Sequence, residues 1–137
     1  MNRKTAAPFL SVACIAAIAA VTLPGCGKPE YCAKRADFSS SVSALTSVSL
    51  TPPNPTEINT NVTKVQTAGT AMLNAAKSDF PSQSTALENA LDAVVATGKE
   101  LTTTKDLAGT GLTLAAQLLT LNAAWKSFDE ATNDACK

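Results

Sequence analysis

Four cysteines have the most chemistry available to them in this sequence: Cys14, Cys26, Cys32 and Cys136. A thiol can form a disulfide, bind a metal or act as a nucleophile. Histidine is absent from all 137 residues, which removes Ser-His-Asp and Cys-His catalytic sites, c-type haem attachment and the Glu-x-x-His di-iron sites of helical bundles. The cysteines are therefore expected to serve structure or attachment, and the sequence predicts no catalytic residue and no cofactor.

The N-terminal segment has the pattern of a secretory signal peptide. Arg3 and Lys4 are followed by no charged residue until Lys28, and an apolar centre extends from Phe9 to Leu23. A basic start followed by an apolar stretch of this length is typical of a signal that is removed on export. A transmembrane helix needs about 20 apolar residues, and this alanine-rich centre is shorter. Residues 1–25 are therefore predicted to be a cleaved signal peptide, with an uncleaved N-terminal anchor as the alternative.

The end of this segment, Leu23-Pro24-Gly25-Cys26, resembles the lipobox of bacterial lipoproteins. In that family a large aliphatic residue and small residues precede a cysteine that becomes lipidated. Pro24 stands where the family usually has Ala, Ser, Thr or Val. The resemblance covers residues 1–26 and implies a lipid on Cys26, with acyl chains such as palmitate, and attachment to the extracytoplasmic face of the cell membrane. Secretion without a lipid is the alternative.

The number of cysteines agrees with this interpretation. Cleavage would remove Cys14 and lipidation would use Cys26, which leaves Cys32 and Cys136 as one pair. An oxidising exterior favours a disulfide between them. The alternative is that all four are ordinary small buried residues. The domain organisation is therefore predicted as a signal peptide (1–25), a lipidated tether (26–31) and a helical domain (32–137).

The charge of the mature chain excludes one class of partner. Cleavage removes Arg3 and Lys4 from the 11 basic residues, which leaves nine against 11 acidic residues and a net charge of −2. A chain so close to neutral has no basic surface for nucleic acid and no polybasic patch for anionic lipid. The expected partners are the membrane, through the lipid on Cys26, and an envelope protein.

Apolar residues recur at intervals of three and four beyond Lys28, which predicts helices. Asn54 is expected to cap the second helix, with Pro55 at its first helical position. Ser82, Ser84 or Thr85 is expected to cap the third helix, and residues 102–106 are expected to form the last turn. The four apolar stripes are Phe38, Val42, Leu45 and Val48; Ile58, Val62, Val65, Gly69, Met72, Ala76 and Phe80; Leu87, Leu91, Val94, Gly98 and Leu101; and Leu107, Gly111, Leu114, Leu118, Leu121, Trp125, Phe128, Thr132 and Ala135.

These patterns predict an all-α fold, an antiparallel up-down-up-down four-helix bundle. Short connections favour antiparallel neighbours. With four helices the first and last residues lie at the same end, where Cys32 and Cys136 can meet; three helices would separate them by at least about 30 Å. The loops around residues 52–55 and 102–106 are then expected to project away from the membrane.

The carboxylates suggest no chemistry of their own. Glu88, Asp92, Glu100 and Asp106 are spread over the helices, as on a solvated surface. Asp129, Glu130 and Asp134 are clustered but lack the spacing of a calcium loop, so no metal site is predicted.

The sequence therefore favours a cell-envelope lipoprotein that acts as a non-enzymatic interaction or structural module. Its Ala- and Thr-rich body resembles small uncharacterised exported helical proteins of high-GC bacteria, a likeness of composition that implies no activity. The alternative is a binding protein for a lipid or small apolar ligand between the helices, and an enzyme is the least favoured class.

Overall fold

A computed structural model describes residues 27–137, and the predicted signal peptide and Cys26 lie outside them. The described residues form a bundle of four α-helices and contain no strand, which confirms the all-α prediction. The only strand-like pairing among them is an isolated bridge between Leu50 and Pro53. The elements are α1 (Glu30–Thr46), α2 (Pro55–Ala76), α3 (Pro81–Glu100), α4 (Leu107–Thr132) and a short 3-10 helix (Asp134–Cys136).

The first helix begins before the predicted domain boundary. It starts at Glu30, and the side chain of Tyr31 is only 2% exposed. The ring of Tyr31 packs edge-on against that of Phe80, with centroids 5.7 Å apart. Tyr31 therefore belongs to the fold rather than to the tether, which shortens the segment between Cys26 and the first helix to residues 27–29.

The second helix starts as the sequence predicts. The side chain of Asn54 accepts a hydrogen bond from the backbone N–H of Glu57 at 3.3 Å, and Pro55 occupies the first turn. Proline suits this position because its missing N–H has no partner within the helix and its φ is already helical. The cap and the proline together set the start of α2.

The third helix starts earlier than predicted, and the expected caps are wrong. It begins at Pro81 with Phe80 at the N-cap position, and no side chain caps it. The hydroxyl of Thr85 instead donates to the carbonyl of Pro81, and Ser84 is buried. Proline at the first helical position allows α3 to begin at Pro81, after a connection of residues 77–80, so the serines and Thr85 fall inside the helix.

The core is formed by the predicted stripes. Every stripe residue of α2 before Phe80 is buried, as are all five of α3. On α4 the stripe is buried from Gly111 to Leu121, whereas Leu107 is 36% exposed and Ala135 lies on the surface. The small residues allow close approach: a Cβ atom added to Gly69 would lie 2.6 Å from a methyl carbon of Leu91.

The four helices do not pack equally well. Consecutive helices are in extensive contact, whereas α1 and α4 touch much less. Near the middle of α1 the rings of Phe38 and Trp125 are in edge contact, with centroids 5.0 Å apart. Near the start of α4, Gly111 lies beside Pro53 and the carbonyl of Leu50. Contact across the α1–α4 seam is thus made at a few separate points rather than along its whole length.

Candidate functional site

The predicted cysteine pair is joined in the structure. Cys32 in α1 and Cys136 in the C-terminal 3-10 helix form a disulfide, with Cα atoms 5.5 Å apart. The two residues are partly buried and pack against the core. The predicted lipidation site, Cys26, lies outside the described residues, so the structure does not bear on it.

An ion pair adjoins the disulfide. The guanidinium of Arg35 in α1 donates to the carboxylate of Asp129 in α4, with 3.1 Å from Nε to Oδ1, and also to the backbone carbonyl of Asp129 at 3.3 Å. The side chain of Arg35 is only 14% exposed and that of Asp129 is 44% exposed. Nothing in the sequence indicated this pair, because its members are 94 residues apart.

Tyr31 lies at the same end of the bundle, and its position raises the pKa of its side chain. Burial raises the pKa of its phenol, the carboxylate of Asp79 raises the pKa further, and the guanidinium of Arg35 opposes both effects. The phenol therefore stays neutral at physiological pH. Its contact with Phe80 makes Tyr31 a packing residue.

The carboxylates that could have done chemistry are dispersed. Glu88, Asp92, Glu100 and Asp106 are all exposed, and Asp106 caps α4 by accepting from the N–H of Gly109 at 2.9 Å. In the C-terminal cluster, Asp129 is bound to Arg35, and Asp134 forms an ion pair with Lys137. Within residues 27–137 no group of three potential ligands is arranged to hold a metal ion.

The outer face of α4 is the most unusual surface of the bundle. No charged residue occurs between Asp106 and Lys126. Leu112 and Leu119 are each 73% exposed, and they lie seven residues apart, which places them on one face two turns from each other. No other large apolar side chain of the described region is as exposed as these two.

The composition of α4 matches this exposure. Of the helices in residues 27–137, α4 is the one long and apolar enough to cross a membrane by length and composition, with a mean hydropathy of 1.2 over its most apolar stretch. Only 22% of that stretch is buried. Its inner face nevertheless supplies Leu114, Leu118, Leu121 and Phe128 to the core, so α4 is apolar on two faces.

A groove of about 680 Å³ adjoins this face. One wall is the α1–α2 connection, residues 50–53, and the other is the first half of α4, from Leu107 to Ala115. Leu112 lies on its edge and therefore belongs to both surfaces. Two smaller grooves continue along the α1–α4 seam, one beside Leu118 and Leu119 and one beside the disulfide.

Leu112 and Leu119 were not predicted as functional residues because both lie outside the apolar stripe of α4. The signal was nevertheless present. A helix that contributes one complete stripe to the core and still has two further leucines on a 19-residue stretch without charge must expose them or bury them against something else.

The comparisons with known proteins add no relative. No family model, no curated protein and no solved structure matches the chain.

Proposed function

We propose that this protein is a cell-envelope lipoprotein whose helical domain is a non-enzymatic interaction or structural module, with the outer face of α4 as its contact surface. The observation that carries the proposal is the 73% exposure of Leu112 and Leu119 on a helix face without charge. Monomeric soluble proteins rarely expose contiguous apolar patches larger than a few hundred Å², and patches of that kind are typical of sites that bind a protein or a membrane.

Attachment to the membrane is the first part of the proposal. Removal of residues 1–25 and a lipid on Cys26 are supported by the lipobox-like Leu23-Pro24-Gly25-Cys26. The pairing of Cys32 with Cys136 supports it as well, because it accounts for the other two cysteines that remain after cleavage. Only residues 27–29 would then separate the lipidated cysteine from α1, which would keep the disulfide end of the bundle within about 10 Å of the membrane.

An antiparallel up-down-up-down order of the four helices is the second part. It is supported by the short connections and by contacts at both ends of the α1–α4 seam. Cys32 near the start of α1 meets Cys136 beyond the end of α4, and Pro53 beyond the end of α1 lies beside Gly111 near the start of α4. These two contacts support opposite directions for α1 and α4.

Binding of a small apolar ligand is the second candidate function. It is supported by the groove of about 680 Å³ between residues 50–53 and the first half of α4, which falls in the size range of ligand sites. The groove lies outside the core, whereas a ligand between the helices would have to displace packed side chains. An apolar molecule that co-purifies with the chain and is lost on Gly111→Phe, which fills the groove, would favour this function.

The attachment is tested by fractionating cells that express the full chain. Wild-type protein should sediment with membranes and carry an acyl mass on Cys26, and Cys26→Ala should release it. Retention of Cys26→Ala in the membrane would support an uncleaved N-terminal anchor instead.

The contact surface is tested with the full chain from its native host, treated with an amine-reactive cross-linker while it is still in the membrane and then solubilised in detergent. Wild type should migrate in native electrophoresis as a complex larger than the monomer, and the double variant Leu112→Glu with Leu119→Glu should reduce it to the monomer. The matched control adds the same two charges at the same spacing to the exposed face of α2, as Thr63→Glu with Thr70→Glu. A wild-type monomer, or equal loss in the control, would remove the interaction function.

A further inference from the structure

The exposed apolar face of α4 is symmetric about its own midpoint. At 100° per residue, Ala108, Leu112, Ala116, Leu119 and Ala123 fall within one arc of about 100° on the helix surface, and all five are exposed. The midpoint of this face is the bond between residues 115 and 116, and the two leucines are equally distant from it along the helix. Ala108 and Ala123 are equally distant as well.

A two-fold axis perpendicular to a helix requires this kind of symmetry. In an isologous contact each residue meets the residue at the mirrored position of the second copy. Leu112 would meet Leu119 of the second copy, and Ala115 would meet Ala116. Small residues would then lie at the crossing point, where the backbones are closest, and large residues would lie on both sides of it, where the helices leave more room.

The absence of charge on this face also favours a second copy of the chain as its partner. With no ionised side chain between Asp106 and Lys126, the face presents no charge for an oppositely charged partner to recognise. Between Asp106 and Lys126, two identical copies can nevertheless be brought together without placing like charges opposite each other. The mirrored register pairs Lys105 with Lys126 of the second copy about 16 Å from the two-fold axis, where crossing helices diverge and the long side chains remain hydrated.

We propose that α4 pairs antiparallel with α4 of a second copy of this chain, with the two-fold axis between Ala115 and Ala116. The inference deepens the proposed function and rests on it, since it identifies the partner of the same contact surface. A single helix pair buries less than a standard interface of about 1,600 Å². The pair therefore forms where the copies are concentrated, as they are when both are anchored in one membrane.

The pairing changes the expected orientation on the membrane. Thr132, at the disulfide end of α4, lies about 25 Å along the axis from the midpoint at 1.5 Å per residue. Antiparallel pairing puts the disulfide ends of the two copies about 50 Å apart, at opposite ends of the dimer. Both tethers reach one bilayer only when the helices lie along its surface, so the loops around residues 52–55 and 102–106 no longer point away from it.

Cysteine cross-linking tests the register directly. Two differently tagged full-length chains, one with Leu112→Cys and one with Leu119→Cys, are co-expressed and mildly oxidised in membranes. A disulfide between the tags is expected, at least about tenfold above either variant expressed alone. Two copies of Leu112→Cys would lie seven residues out of register, about 10 Å along the helices, beyond the limit of about 7 Å for the Cα atoms of a disulfide.

A second pair of variants repeats this test at another position of the face, and a matched pair on α2 serves as the negative control. Ala108→Cys with Ala123→Cys should give the same mixed cross-link, whereas Thr63→Cys with Thr70→Cys on α2 should give none. The proposal is overturned if both α4 pairs fail to cross-link, as they would if the face lay on lipid. It is equally overturned if each variant cross-links with itself, which would indicate parallel helices.

This outcome is separable from a failure of the proposed function. A native complex that the two glutamate substitutions abolish, but that gives no mixed cross-link, leaves the interaction function standing with a different partner. A wild-type monomer in native electrophoresis removes both.

Discussion

The guanidinium of Arg35 in α1 holds the carboxylate of Asp129 in α4 beside the disulfide, across the seam where the bundle is least tightly packed. Consecutive helices are held together by extensive apolar contact, whereas α1 and α4 depend on a few specific links. Those links are a disulfide, an ion pair and one aromatic contact, made by Cys32, Arg35 and Phe38 in the first half of α1. The stability of the seam is therefore concentrated in a few residues.

Loss of the disulfide should be the most damaging single change. Replacing both Cys32 and Cys136 by serine removes a link between residues 104 positions apart. On the chain-entropy model a loop of about 100 residues is worth up to about 4.7 kcal/mol, and loss of a native disulfide from a small domain costs about 2–5 kcal/mol. Urea unfolding of oxidised wild type and of the variant measures the difference. A loss below about 1 kcal/mol would mean that the α1–α4 contacts hold the seam without the disulfide.

Removing the Arg35–Asp129 pair should have a smaller effect. Asp129→Ala leaves the largely buried guanidinium without its carboxylate partner, and we expect the free energy of unfolding to fall by about 1–2 kcal/mol. The exposed pair between Lys34 and Glu30 is the control, because its loss should change stability by at most about 0.5 kcal/mol. A double-mutant cycle with Arg35→Met measures the coupling. Equal losses from both pairs would contradict the special role of the seam.

The third prediction concerns how the side chains at the starts of α2 and α3 affect stability. Asn54 accepts from the N–H of Glu57, so Asn54→Ala should destabilise the domain by about 1 kcal/mol. Ser82, which the sequence suggested as a cap, lies inside α3 and is exposed, so Ser82→Ala should be neutral or slightly stabilising, because alanine is the better helix former. Thermal unfolding distinguishes the two positions. A loss at Ser82 that matches the loss at Asn54 would restore the capping role.

Helix content and core membership followed from the sequence because both are local. The spacing of apolar residues predicted the buried faces of α2 and α3, and Asn54 and Pro55 together predicted the start of α2. The start of α3 was not predicted, since a proline can interrupt a helical pattern or occupy the first position of a new helix, and the serines after Pro81 look like caps in either case. Tyr31 was assigned to the tether because its partner, Phe80, is distant in the sequence.

The contact surface was harder to predict for a different reason. The stripe on α4 identified which residues enter the core, but not whether the remaining leucines were covered by another helix. That depends on how closely α1 approaches α4, which is set by packing across the whole bundle. Leu112 and Leu119 became recognisable only when their exposure was known.

Two glycines that the sequence placed on core stripes should respond in opposite ways to alanine. At Gly69 a Cβ atom would lie 2.6 Å from a methyl carbon of Leu91 and 2.9 Å from the ring of Phe38, so these side chains must move. Overpacking of this kind costs about 1–3 kcal/mol, which exceeds the gain of about 0.5–1 kcal/mol from replacing a helical glycine. Gly69→Ala should therefore destabilise the domain.

At Gly111 the nearest atoms to the same added carbon are the carbonyl oxygen of Leu50 at 3.6 Å and a ring carbon of Pro53 at 3.7 Å, which are ordinary contacts. Gly111→Ala should keep the gain in helix propensity and stabilise the domain by up to about 1 kcal/mol. Urea unfolding of the two variants under the same conditions measures both signs. A stabilised Gly69→Ala would mean that Leu91 and Phe38 can move apart at little cost, and that the core around α2 is looser than the distances indicate.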